Sequence, residues 1–239
     1  MAKLYVVGIG PGGKEYMTVK AVKVLKKVPV IVGYKYYIEL IKEFITGKEI
    51  ISTGMRGEIE RCKLAVEKVK AGFDTAIIST GDAGLYGMAG PILELAKDIE
   101  VEVVPGVTSA FAAAAELGAP IMHDFCCISL SDLMTPWEVI ENRIKLAAQG
   151  DFVIAIYNPK SKSRKLQLKK AIDIIKNYKS GDTVVGMVKN AERDGQEKII
   201  TTLAHINFDF VDMRTLVIIG NKSTSVVNGN IVTERGYSI

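Results

Sequence analysis

Cysteine, histidine and tryptophan are scarce in this chain of 239 residues, which has three, two and one of them respectively. Because the cysteines (Cys62, Cys126 and Cys127) are odd in number and two are adjacent, we expect no disulfide framework and a reducing compartment. Neither His123 nor His205 stands at zinc-ligand spacing from a cysteine, so we expect no metal site.

Long apolar runs and dense basic blocks are also missing. No apolar run reaches the length that spans a bilayer, and the first residues predict a strand instead of a secretory signal. The 31 basic residues are scattered among 27 acidic ones, for a net charge of +4. We therefore expect a cytoplasmic protein with no membrane and no nucleic-acid partner, whose ligand is a small molecule, with a polyanion allowed.

What the chain does contain is 48% hydrophobic residues arranged as alternating strand and helix patterns. In the first half, strands are predicted at residues 3–7, 28–32, 76–78 and 101–104, and helical spacing occurs over 17–28, 59–69 and 108–117. This alternation predicts a mostly parallel sheet with helices on its faces.

The second half is richer in strands with short connections, which predicts a mixed sheet. Strands are expected at residues 126–130, 152–157, 183–188, 198–203 and 215–219, and helices from Thr135 and over 166–175. Thr135 and Glu138 form a T-x-x-E capping box with Pro136 at the first helical position. Residues 117–120 resemble a linker, so we predict two α/β domains, 1–119 and 120–239.

Gly8, Gly10 and Gly13 match the G-x-G-x-x-G spacing of dinucleotide-binding turns. However, Pro11 removes one of the backbone donors that would bind a pyrophosphate. The second predicted strand also lacks the acidic residue that binds a ribose. A nicotinamide or flavin site is therefore disfavoured, and a tight turn without any ligand stays open.

Five segments at predicted strand ends combine Gly, Ala or Pro with small polar residues: 8–13, 79–84, 105–109, 157–160 and 189–193. In open α/β sheets, ligands bind beyond the carboxyl ends of strands, and small residues allow a close approach to the backbone. Asp82 is the one carboxylate within the glycine turns. It is either an acceptor for a ligand hydroxyl or amino group, or a turn or helix-cap residue.

Three of these motifs, residues 8–12 (GIGPG), 81–87 (GDAGLYG) and 104–110 (VPGVTSA), resemble the tetrapyrrole methylase family over essentially the whole chain. Residues 129–137 (SLSDLMTPW), 155–161 (AIYNPKS) and 188–191 (VKNA) resemble its corrin-pathway branch in cobalamin biosynthesis. Within that branch, the resemblance is to the member that methylates carbon 17 of the macrocycle and contracts the ring.

The resemblance implies two α/β domains with the active site in the interdomain cleft, S-adenosylmethionine as cofactor, S-adenosylhomocysteine as product, a tetrapyrrole substrate and a homodimer. It also implies a set of cofactor-binding residues: Pro11, Thr80, Gly81, Asp82, Leu85, Thr108, Ser109, Asn158 and Ala191.

Ring contraction requires proton transfers and therefore a positioned acid or base. The candidates are Ser129, Ser131, Asp132 and Thr135, followed by His123. Turn and cap hydrogen bonds are the alternative role for the three hydroxyls, and a structural role is the alternative for His123.

The substrate carboxylates call for cations, and we expect Arg193, Arg164 and Lys160 to bind them. Trp137 either flanks the macrocycle or packs on a helix face. Two other functions remain open: a family member that methylates another ring carbon, and a non-catalytic module that binds an adenosine ligand.

Overall fold

The computed structural model describes residues 1–54 and 57–238. The chain divides into two compact units, Met1–Ser109 and Ala110–Ile239. Each unit contains a five-stranded sheet, and a smaller three-stranded sheet lies in the second unit. Within the described ranges, no helix has the length and apolar character needed to cross a bilayer.

The first unit alternates strands and helices, as predicted. Its strands are β1 (Lys3–Gly8), β2 (Val30–Tyr34), β3 (Glu49–Thr53), β4 (Thr75–Ser79) and β5 (Glu100–Val104). Its helices are α1 (Val19–Lys27), α2 (Lys35–Leu40), α3 (Glu58–Lys70) and α4 (Ala89–Leu95). The first of these helices begins after Thr18, whose hydroxyl accepts the Ala21 N–H at 3.1 Å and so caps it.

Every strand pair in this sheet is parallel, in the order β3-β2-β4-β1-β5. Tyr5 and Val7 of β1 pack with residues of α1 and α2, whereas Leu4 and Val6 pack with residues of α3 and α4. Both faces are therefore covered, which explains the continuous apolar strands and confirms the predicted parallel sheet. The chain leaves the adjacent strands β1 and β4 in opposite directions, the arrangement at which α/β sheets bind ligands.

The second unit is built from α5 (Ser109–Leu117, whose first residue closes the first unit), β6 (Gly118–Ala119), β7 (Phe125–Ser129), α6 (Trp137–Gln149), β8 (Val153–Tyr157), α7 (Gln167–Ile175), β9 (Val184–Lys189), β10 (Glu197–Thr202), β11 (Thr215–Ile219), β12 (Thr224–Val227) and β13 (Asn230–Thr233). The large sheet has the order β10-β9-β11-β8-β7. Only β7 and β8 pair in parallel, and the other pairs are antiparallel, so the predicted mixed sheet is confirmed.

Helix α5 belongs with this second sheet. Ala110, Ala113 and Leu117 pack in one cluster with Val153 of β8 and Leu216 of β11. The observed division therefore falls at Ser109 and Ala110, earlier than the predicted boundary between residues 119 and 120. The prediction of a linker at residues 117–120 was wrong in part, because Gly118 and Ala119 form β6 and pair with β13.

Several elements escaped the sequence patterns: α2, β3, α4 and the hairpin of β12 and β13. The hairpin had a signal, since Asn228 and Gly229 separate its strands and both have positive φ. Strand β3 had a weaker one, because it lies at the sheet edge with half-exposed side chains and lacks a continuous apolar run.

Candidate active site

The glycine turns that follow β1, β4 and β5 meet at one edge of the first sheet. Since these strands are adjacent and parallel, their carboxyl ends lie side by side. Gly10 and Gly81 exchange two backbone hydrogen bonds, of 3.1 Å and 2.7 Å, and both have positive φ. The first two turns are therefore tied together directly through the backbone.

Gly8 and Gly106 are required by the close approach of these turns. A Cβ atom added to Gly8 would lie 2.7 Å from the Gly106 nitrogen and 2.8 Å from the Gly81 carbonyl oxygen. A Cβ atom added to Gly106 would overlap that same oxygen and lie 2.8 Å from Gly8 backbone atoms. Because these neighbours are backbone atoms, no rotamer change could make room.

Asp82 connects the second turn to the third. Its Oδ1 accepts the N–H groups of Gly84 at 2.8 Å and Leu85 at 3.0 Å, and its Oδ2 accepts the Gly106 N–H at 3.0 Å. This is the turn-residue role that the sequence left open beside the ligand-binding role. Half-buried and committed to three donors, the carboxylate fixes the shape of the turns around it.

The other predicted cofactor residues of the first unit lie on the same three turns. Pro11 is buried, and the Thr80 hydroxyl donates to the Gly10 carbonyl at 3.4 Å. Thr108 is buried, and a Cβ atom at Gly81 would lie 3.7 Å from the Ser109 nitrogen. The structure thus brings the predicted residues of this unit together; their contact with a cofactor stays a prediction.

The second unit gathers its predicted residues at one edge of its own large sheet. Because β11 is antiparallel to both β8 and β9, these two strands run in the same direction as each other and as β7. Asn158 and Asn190, directly after β8 and β9, have φ of 52° and 51°, a left-handed conformation that asparagine tolerates. Ala191, half-buried, follows Asn190.

Ser129 ends β7 beside Asn158. Its Oγ accepts the Asn158 side-chain amide at 2.9 Å and the Ser131 N–H at 3.2 Å. The bond from Ser131 closes a turn, which is the alternative role that the sequence left open for the Ser129 hydroxyl. The hydrogen bond from the Asn158 amide to Ser129 also holds the Asn158 side chain at the strand end, where the sequence predicts a cofactor contact.

Asp132 lies in a polar cluster with Arg164 and Gln167. Gln167 Nε2 donates to Asp132 Oδ2 at 3.1 Å, and Arg164 Nε lies 3.8 Å from Oδ1. Among the described residues, the buried Arg164 Nε has no hydrogen-bond partner. Two of the predicted residues are therefore neighbours, and Gln167 is a third member that the sequence did not reveal.

Four other predicted residues have contacts of a different kind. Trp137 packs against the core of the second unit and donates to Glu141 at 2.6 Å, which favours the helix-packing alternative. Lys160 donates to the Phe208 carbonyl at 3.1 Å. His123, exposed, accepts the Asp124 N–H at 2.8 Å. The backbone N–H of Arg193 closes the turn onto the Asn190 carbonyl at 2.9 Å.

The predicted capping box at Thr135 was wrong. Helix α6 begins at Trp137, with Pro136 in the cap position and no side-chain hydrogen bond to the cap. Proline has extended backbone geometry there (ψ of 142°), which displaces Thr135 from the cap by one residue.

The thiols add no reactive group to either unit. All three cysteines are free, and burial raises the pKa of Cys62 and of Cys126 to about 11. These thiols stay protonated at neutral pH and are poor nucleophiles and metal ligands. No cluster of three metal-ligating side chains occurs in the described part of the chain.

The comparisons with known proteins agree with this architecture. The family model of the tetrapyrrole (corrin/porphyrin) methylases matches residues 3–207. The chain belongs to this family.

Among the tetrapyrrole methylases, the chain is 52% identical over 240 residues to the probable cobalt-factor III C(17)-methyltransferase of Salmonella typhimurium, covering 99% of this chain and 100% of that one. It is 46% identical to the cobalt-factor III methyltransferase of Priestia megaterium, covering 98% of this chain but 45% of the longer relative. The crystal structure of the methyltransferase CobJ superposes with a TM-score of 0.93 at 33% identity, covering 98% of this chain and all of the other.

Proposed function

We propose that this tetrapyrrole methylase transfers a methyl group from S-adenosylmethionine to carbon 17 of a corrin precursor, with ring contraction, in cobalamin biosynthesis. The observation that carries the proposal is the full-length similarity to a relative named for carbon-17 methylation of cobalt-factor III. Both relatives described above carry cobalt-factor III in their names. We therefore propose the cobalt-loaded macrocycle, and not the metal-free precorrin-3B, as the preferred substrate.

The strand-end turns of the first unit suit such a cofactor. Their closely packed backbones present small side chains and the hydroxyls of Thr80, Thr108 and Ser109, with little bulk to obstruct a nucleoside. We assign Pro11, Gly81 and Leu85 to the same role. Asp82 supports it by holding the turns in place. In the second unit, the proposal assigns Asn158 and Ala191 to the cofactor.

When bound, S-adenosylmethionine supplies an electrophilic methyl group on a sulfonium, and S-adenosylhomocysteine is the product. The macrocycle is electron-rich and provides its own nucleophilic carbon, so the chain needs no covalent catalyst. Its turns must instead place the methyl carbon about 3–3.5 Å from the attacking ring carbon, with the sulfur in line behind it. This placement contributes about 7–11 kcal/mol to catalysis. Exclusion of water by the apolar parts of the turns adds to this effect.

Asp132 is our choice for the proton transfers of ring contraction. It is the one carboxylate among the predicted catalytic residues, and Arg164 and Gln167 hold its orientation. Ser129 and Ser131 are assigned a supporting role, since the Ser129 hydroxyl is engaged by Asn158 and by the Ser131 backbone. Thr135, although it does not cap α6, stays a candidate contact for the macrocycle.

For the carboxylates of the macrocycle we propose Arg193 as the main contact in the second unit. Arg164 faces Asp132, Lys160 is hydrogen-bonded to Phe208 and Trp137 is packed against Glu141 and its core, so these three are supporting residues. Arg193→Ala is expected to raise the Kd for the macrocycle while the Kd for S-adenosylhomocysteine stays within about twofold. Equal losses of both affinities would reject the assignment.

The direct test is incubation with methyl-labelled S-adenosylmethionine and either cobalt-factor III or precorrin-3B, followed by mass spectrometry and carbon NMR of the product. We expect label at carbon 17 and a contracted ring. Label at another ring carbon would identify a different specificity within the family. Binding of S-adenosylhomocysteine without transfer to any tetrapyrrole would instead identify a non-catalytic module.

The proposal includes a homodimer in the cytoplasm. Its support is the family resemblance together with the three free cysteines, which are typical of a reducing compartment. Sedimentation equilibrium of the purified protein tests the dimer, and a monomer at micromolar concentration would contradict it.

A further inference from the structure

A pocket in the first unit lies beside the turn that contains Thr80. Its volume is about 130 Å³. Its polar and aromatic lining includes Arg61 and Glu58 of α3, Tyr34 at the end of β2, and Tyr37 and Tyr86. Thr80 lines it as well, so the pocket adjoins one of the turns assigned to the cofactor.

Arg61 is the buried charge of this pocket, with its side chain only 6% exposed. Its Nη1 atom donates to the Thr53 hydroxyl at 2.6 Å and to the Gly54 carbonyl at 2.9 Å. These two bonds hold the guanidinium in a fixed orientation. The Nη2 atom is not used by these two bonds, and a buried guanidinium favours an anionic partner.

Glu58 is the anionic partner of Arg61 Nη2 in the described part of the chain, and it lies at a long distance. Its Oε1 lies 3.4 Å from Arg61 Nη2, whereas charge-assisted bonds of this type are about 2.7–2.9 Å long. The Glu58 side chain is 49% exposed. It can therefore rotate into solvent and release the guanidinium at low cost.

The signal for this site was present in the sequence. Arg61, Ala65 and Val69 share one helical stripe of α3, and the structure buries all three. An arginine on an apolar stripe requires a specific partner, because burying an unpaired charge is costly. Among the described residues, the carboxylate that faces Arg61 is the weakly held Glu58.

We propose that this pocket receives the carboxylate of one acetate or propionate arm of the tetrapyrrole, which replaces Glu58 on Arg61. This inference rests on the proposed function. The pocket is smaller than the ~300–1,000 Å³ that enclose a whole drug-sized ligand, so it suits one arm and not a macrocycle. Tyr34, Tyr37 and Tyr86 line the same pocket.

The test compares Glu58→Gln with Glu60→Gln. Both remove one negative charge from the first turn of α3, but Glu60 is exposed and does not line the pocket. Glu58→Gln is expected to lower the KM and Kd for cobalt-factor III by about three- to tenfold, because it removes a competing carboxylate. Glu60→Gln is expected to leave both within about twofold of wild type.

Arg61→Gln is the complementary variant. We expect its KM for cobalt-factor III to rise by at least about tenfold, with kcat retained, since the arm contributes to binding and not to chemistry. Because this variant also loses the bonds to Thr53 and Gly54, its thermal unfolding must be measured beside its kinetics. If Arg61→Gln does not fold, the comparison of Glu58→Gln with Glu60→Gln still tests the proposal.

Binding of S-adenosylhomocysteine separates the two possible sources of a carboxylate. If the pocket binds an arm of the macrocycle, the Kd for S-adenosylhomocysteine is expected to be the same in Glu58→Gln as in wild type. A changed Kd for S-adenosylhomocysteine would assign the pocket to the cofactor and overturn the inference. Equal macrocycle affinities in Glu58→Gln and Glu60→Gln would also overturn it. If wild type binds no tetrapyrrole at all, the proposed function itself fails, whereas normal wild-type turnover with indistinguishable variants rejects the pocket alone.

Discussion

Replacing Asp82 tests whether its carboxylate stabilises the turns or binds the ligand. Asp82→Ala removes the acceptors of three backbone N–H groups, those of Gly84, Leu85 and Gly106. Asp82→Asn keeps an acceptor for Gly84 and Leu85 but places an amide donor opposite the Gly106 N–H. The two variants therefore remove different numbers of the bonds that join the turns.

The magnitudes follow from those bonds. A hydrogen bond to a charged group contributes about 1.5–3 kcal/mol, and water replaces part of this where the donor is accessible. Since the Gly84 donor is exposed and the other two are half-buried, we expect Asp82→Ala to lose about 2–4 kcal/mol of unfolding free energy. For Asp82→Asn, which loses one bond, we expect about 1–2 kcal/mol.

Urea unfolding followed by circular dichroism measures the loss, and calorimetric titration with S-adenosylhomocysteine measures the affinity. At about 2–4 °C per kcal/mol for a chain of this size, Asp82→Ala is expected to melt about 5–15 °C below wild type. Affinity for the cofactor product is expected to fall in the same order as stability. Asp82→Asn with wild-type stability but no binding would show that the carboxylate acts on the ligand and not on the turns.

Three further predictions concern glycine packing, pH and proton transfer. Gly106→Ala is expected to cost about 2–4 kcal/mol, because its Cβ atom meets the backbone of Gly8 and Gly81, whereas Gly90→Ala, a helical position with open space, is expected to stabilise by up to about 1 kcal/mol. Equal urea midpoints for these two variants would refute the packing account. The pKa of Glu102 is lowered from 4.5 to about 2 by hydrogen bonds from Lys20 and Lys3, so its contribution to stability is complete above pH 4.5 and is lost as the pH falls through about 2. The unfolding free energy of Glu102→Gln is expected to lack this decrease between pH 4.5 and about 2. A pH dependence of stability parallel to that of wild type would contradict the assignment. Asp132→Asn is expected to lower the rate of ring contraction by about 10²–10⁴-fold with S-adenosylhomocysteine affinity retained, and a wild-type rate in single-turnover assays would exclude it as the acid–base group.

The charge cluster that contains Glu102 belongs to the fold and not to the site. Lys3 begins β1 and pairs with Glu100 and Glu102 of β5, at 2.7 Å and 2.8 Å. These hydrogen bonds raise the pKa of Lys3, so the stability that it contributes is present below its ordinary pKa of 10.5 and is lost only in strong alkali. Because Lys3 starts the strand, it lies away from the carboxyl-terminal turns.

Local pattern was enough to predict the parallel sheet and the strand-end turns. Runs such as residues 4–7 and 76–78 are apolar without alternation, and a strand of that kind must be buried on both faces. The glycines at 8, 10 and 81 follow such runs, so their place at the carboxyl edge followed from the same reasoning. Three strand-end motifs, at residues 8–12, 81–87 and 104–110, also indicated the family by resemblance, and the comparisons confirmed it.

Tertiary structure decided what local pattern leaves undetermined. Asp82 reads equally well as a ligand contact or a turn residue until the Gly106 N–H, twenty-four residues along the chain, is seen on its Oδ2. The packing of Trp137 against the core of the second unit, the attachment of α5 to the second sheet and the contact of Arg61 with Thr53 likewise depend on elements brought together only by folding. Helical or strand period specifies which face of an element is apolar, but the atom that meets a polar group on that face is set by the packing of other elements.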